Sequence, residues 1–87
     1  MFSRLKHWND DYAVGATNDK QAVENYVFCE TRELVGSLRT ELSQIIVGNF
    51  KPESLQAILG KERMLRHGSF ENWARLMLQW LAAAERA

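Results

Sequence analysis

The chain has 87 residues, 46% of them hydrophobic and 25% charged, which is the composition of one ordinary globular domain over 1–87 and argues against disorder. Eleven basic side chains balance eleven acidic ones, so net charge supplies no general attraction to nucleic acid or to an anionic membrane. A single cysteine, Cys29, excludes an intrachain disulfide, and no apolar run reaches the roughly 18–20 residues of a membrane span. The segment MFSRLKHW lacks the apolar stretch of a signal peptide, and no Asn-x-Ser/Thr acceptor occurs. A complete small cytoplasmic gene product, with no membrane partner, is the expectation.

Phe2, Leu5, Trp8 and Tyr12 recur at helical spacing behind Ser3, a candidate cap, and predict a short first helix. Asn9 to Ala16 reads as a loop, with Asp10 or Asp11 as a local cap. Asn18 followed by Gln21 has the spacing of a capping box. From there to Val47 the apolar positions gather on an arc of about 140°, predicting one long helix over about 19–47. Gly36 sits near its middle, where a kink or a close helix crossing is the alternative to a straight rod.

Gly48 suits the end of that helix, and Pro52 with Glu53 suits the first turn of the next. Leu55, Ile58 and Leu59 form an inner face, Gly60 interrupts, and Lys61 to His67 adds one or two turns carrying Met64 and Leu65. Gly68 closes this segment and Ser69 caps the last helix, about 70–85. Its apolar residues span about 200°, twice the stripe that a surface helix needs. The prediction is an all-α fold: a small compact bundle of four to five helices, with the long helix packed on the C-terminal one. Val27, Leu34, Leu38, Leu42, Ile45, Leu55, Ile58, Leu59, Leu65, Phe70, Trp73, Met77 and Leu81 are the expected core.

Functional motifs are sparse. His7 and His67 have no second ligand at helical spacing, and Asp10–Asp11 lack the further oxygens of a calcium loop, so no metal is expected. Cys29 has no histidine positioned to activate it and reads as a semi-buried small hydrophobe; an exposed one could bridge a homodimer. GxGxxG and GxxxxGK[ST] are absent, so no cofactor is expected. Two features remain. Leu76 and Trp80 sit at the edge of the wide C-terminal face, beyond what the bundle needs, and are candidate partner-binding residues. Lys61, Arg63 and Arg66, in a helix-Gly-helix segment over 52–67, are candidate nucleic-acid contacts of a helix-turn-helix-like unit. The leading expectation is a small non-enzymatic protein–protein interaction or regulatory module, self-associating as a homodimer or binding another protein. A DNA-binding regulator is the alternative.

Overall fold

In the computed structural model, which describes residues 2–87, the chain runs through six α-helices. These are α1 (Ser3–Trp8), α2 (Asp19–Cys29), α3 (Arg32–Ile46), α4 (Pro52–Leu59), α5 (Lys61–His67) and α6 (Phe70–Arg86). No strand occurs among the described residues. The all-α class is as expected, with six helices in place of four or five. No helix is long and apolar enough to cross a membrane among these residues.

The single long helix over 19–47 does not form. Glu30 (φ −102°, ψ 163°) and Thr31 (φ −71°, ψ 161°) are extended, and Thr31 caps a new helix by accepting the Leu34 N–H at 3.3 Å. The reason lies in the phase of the apolar residues. Ala22, Val23 and Tyr26 are the buried face of α2, whereas Val35, Leu38, Leu42 and Ile45 are buried on α3. On one unbroken rod those two faces would point at least ~100° apart. Breaking at Glu30–Thr31 lets both meet α6. Gly36, the expected kink, lies inside α3 without interrupting it. A Cβ added there would meet only the tip of Arg39, at 4.0 Å, so no helix crosses closely at that point.

The N-terminal region also differs from expectation. Ser3 does not cap α1. The carboxylate of Glu41, buried on α3, accepts the Arg4 N–H at 3.0 Å and the Leu5 N–H at 2.9 Å. Asn9–Ala13, expected as loop, continues α1 as a π-helical turn. Asp10 and Asp11 are not caps there but pair backwards with Lys6 and His7. The wider turn brings Tyr12 edge-on to Tyr26, with ring centroids 5.1 Å apart. The Asn18 box forms: its Oδ1 accepts the Gln21 N–H at 2.9 Å, and the Gln21 side chain reaches back to the Thr17 N–H.

The C-terminal half follows its punctuation closely. Gly48 (φ 79°) ends α3 in a Schellman arrangement, with Asn49 N–H on the Gln44 carbonyl and Gly48 N–H on that of Ile45. Pro52 opens α4, and Ser69 caps α6 through the Asn72 N–H. Helix α6 is the central rod, lying against α2, α3 and α5 while α1 packs on α3. Its Phe70, Trp73, Ala74, Met77, Leu81 and Ala84 are buried.

The core differs from the sequence reading at both ends. Phe2, Leu5, Trp8 and Tyr26 belong to it. Val27, Leu34 and Ile58 are half-buried, and Leu65 is 67% exposed. Arg63 and Met64 turn inward on α5, which sends Leu65 to the outside.

Two substitutions check this account by chemical denaturation. Gly36→Ala is expected to raise stability by about 0.5–1 kcal/mol, since an uninterrupted helix gains from alanine and the added methyl has room. Thr31→Ala is expected to lower it by about 1 kcal/mol through loss of the α3 cap. A destabilising Gly36→Ala would restore a tight crossing at that position.

Candidate interaction surface

The wide face of α6 is mostly consumed by the fold. Its buried residues cover an arc of about 100°, the width of an ordinary inward stripe. Trp80, a candidate partner-binding residue, is half-buried and packs against the core, as does Leu78 on the opposite edge. Leu76, the second candidate, lies one turn before Trp80 and is also partly covered. The two share one edge of the helix but form no strongly exposed patch.

The three candidate nucleic-acid cations line one groove of about 510 Å³ together with Asp19 and Glu62. They are not equivalent. Lys61 and Arg66 are exposed. Arg63 is occupied inside the protein, its side chain only 16% exposed, and is not free for a phosphate. Its Nε and Nη2 grip both oxygens of Asp19 at 2.9 and 3.0 Å, and its Nη1 donates to the Leu59 carbonyl at 2.6 Å. The guanidinium also sits over the rings of Trp8 and Trp73, 5.4 and 5.8 Å from their centroids. The indole N–H of Trp73 donates to the same carboxylate at 2.9 Å. Helices α4 and α5 are joined by Gly60 alone, whereas a helix-turn-helix uses a turn of about three to four residues.

Asp19 carries a readable electrostatic signature. Burial by itself pushes its carboxyl group up. The hydrogen bonds from Arg63 and Trp73, with the nearby charge of Arg63, outweigh that and leave it below the ordinary aspartate range.

The most exposed aromatic side chain lies elsewhere. Phe28, near the end of α2, is 76% exposed. Beside it runs a groove of about 530 Å³ between the end of α2, the start of α3 and the end of α6. Val27, Val35 and Ala84 supply its apolar walls, with Glu30, Arg32, Arg39 and Glu85 at the rim. Arg39 and Glu85 pair with each other, tying α3 to α6. Glu30 accepts the Tyr12 hydroxyl, a bond that holds the phenol well above its ordinary pKa. Cys29, expected to be semi-buried, is exposed next to Phe28. The sequence reading missed this surface because a continuous helix puts Phe28 in phase with the apolar residues of α3. Thr31, a good cap three residues before Leu34, was the available signal.

Neither histidine joins a metal-binding group: no three His, Cys, Asp or Glu side chains are placed to hold an ion among the described residues. His7 pairs with Asp11 at 3.0 Å and packs edge-on against Tyr12 and Tyr26. Comparison of the chain with protein-family models, with curated proteins and with solved structures finds no match.

The Asp19 cluster gives a direct test. Arg63→Met is expected to cost about 3 kcal/mol in urea unfolding, because it strands a buried carboxylate. Lys61→Ala and Arg66→Ala should each stay within about 0.5 kcal/mol of the parent. Since folding depresses the Asp19 pKa, its contribution is present above the ordinary aspartate range and disappears as pH falls through the folded value. In Asp19→Asn that part of the acid-induced loss should be missing from stability measured between pH 6 and pH 2.

Proposed function

We propose that this protein is a small non-enzymatic interaction module that self-associates as a homodimer through the surface centred on Phe28. The observation that carries the reading is Phe28 itself, a large aromatic side chain left 76% exposed on the wall of a groove of mixed apolar and charged lining that could receive its counterpart. Large exposed apolar side chains grouped with a concavity are a common mark of protein contact sites, and aromatic anchors dominate such contacts.

A second copy suits the surface for two reasons. The chain has no net charge, so copies do not repel. The rim carries Glu30 and Arg32 two residues apart, and a two-fold axis uses such a pair twice, each arginine facing the other copy's glutamate. The end of α6 contributes Ala84 and Glu85, so the C-terminal helix takes part, though through its last turn and not through Leu76 and Trp80. Nucleic-acid binding through 52–67 is the lesser reading, since its central cation is held by Asp19 and its two helices are joined by one residue.

Light scattering over a concentration series checks the proposal. The parent chain should move from monomer to dimer as concentration rises. Phe28→Ser should raise the dimer dissociation constant by roughly 30-fold or more, the effect of losing an anchor worth about 2 kcal/mol, with no loss of thermal stability at concentrations where the parent is monomeric. Trp80→Ala should chiefly lower stability. A parent chain that stays monomeric at millimolar concentration sinks the proposal.

A further inference from the structure

A second concavity lies at the opposite end of α3. The Schellman turn after α3, the connection to α4, the outer side of α4 and Phe2 line a half-open groove of about 540 Å³. That volume falls within the roughly 300–1,000 Å³ of small-molecule sites. Phe2, Phe50 and Ile58 provide its apolar surface. Phe50 packs edge-on against Phe70, with centroids 6.4 Å apart. The Ile58 carbonyl accepts the Asn9 side-chain amide at 2.9 Å, which ties α4 to the turn after α1.

The polar side chains of the lining are Asn49, Lys51 and Ser54, all exposed at the mouth. Lys51 is the one ionised group in the lining among the described residues, and it has no carboxylate partner within ion-pair distance there. Glu53 follows on the first turn of α4 but does not line the groove. The site therefore combines an apolar-walled groove with a single positive charge at its entrance, flanked by an amide and a hydroxyl able to donate. An uncharged ligand would leave the cation unused, and a cationic one would be repelled.

We infer that this groove binds a small amphiphilic carboxylate, its apolar body against Phe2, Phe50 and Ile58 and its anionic end on Lys51. The inference is independent of the Phe28 surface, which lies at the start of α3. Either an aliphatic or an aromatic acid has this chemistry, and the probes separate them.

Amide spectra of the ¹⁵N-labelled full chain, titrated with octanoate, 3-phenylpropanoate and octan-1-ol, test it. At least one acid should give saturable shifts confined to Gly48–Ser54 and Ile58, and the tighter one identifies the apolar body. Octan-1-ol should bind several-fold more weakly. Lys51→Met, which keeps the apolar stem, should weaken the acid about three-fold, the scale of one exposed charge pair. Ser54→Trp fills the slot from the solvent side without touching the core, and should abolish the shifts in a protein that still folds. Absence of saturation by either acid at millimolar concentration overturns the proposal. So does an alcohol that binds as tightly as the acids, or binding unchanged in Ser54→Trp.

Discussion

The carboxylate of Asp19 holds more of this fold together than any other polar group. It stands in the first turn of α2, where a negative charge complements the helix dipole. It receives two parallel N–H groups from Arg63 on α5 and the indole N–H of Trp73 on α6. Arg63 extends the connection to α4 by donating to the Leu59 carbonyl, one of the acceptors that a helix end leaves unpaired. Four helices thus meet at one side-chain pair. Helix α5 depends on it most, since none of its seven residues is buried. The Arg63 guanidinium lies over the rings of Trp8 and Trp73, and both side chains of the pair are largely shielded from water, which strengthens the attraction and makes the loss of either partner costly.

Glu41 solves the same problem at the other end of the chain. Helix α1 has six residues, too few to persist alone in water, and no residue of its own caps it. A buried glutamate from α3 supplies acceptors for two of its first N–H groups and fixes where α1 begins. Trp8, about one turn beyond Leu5 on the same helix, is then delivered to the ring of Trp73, 5.9 Å centroid to centroid. In a domain this small, apolar burial alone leaves little surplus stability. Two short helices are located by charged hydrogen bonds made across the bundle, and the apolar core follows from that placement.

These two devices explain which parts of the fold are legible from sequence. Local signals read correctly wherever the partner is a neighbour: Asn18 with Gln21, Gly48 after α3, Pro52 at the start of α4, Ser69 before α6. Glu41 and Arg4 are 37 residues apart, and Asp19 and Trp73 are 54 apart, so no periodicity joins them. For that reason the Asp19 partner of Arg63, a candidate nucleic-acid contact, is not legible from the sequence. The long helix fails differently. A broad arc of apolar residues can be one stripe or two stripes offset in phase, and averaging over 19–47 merged them. Tyr26, buried on α2, lies outside the averaged arc, and that misfit is the trace of the break.

The same break governs the candidate interaction surface. Once Ala22, Val23 and Tyr26 are turned into the core, Phe28 points outward, because a residue two positions beyond Tyr26 is rotated about 200° from it. Its exposure follows from the geometry that gives α2 and α3 a common partner. The fold asks nothing apolar of that position, and a serine or lysine would satisfy α2 equally well. Phenylalanine there is apolar surface that folding did not require, whereas Val27 and Val35 of the adjoining groove also serve the core. Val14, Val47 and Leu65 are also exposed, but they lie on other segments and outside this groove. Phe28 alone joins an exposed ring to a concavity, and that conjunction, not exposure by itself, is what favours a protein surface as its partner.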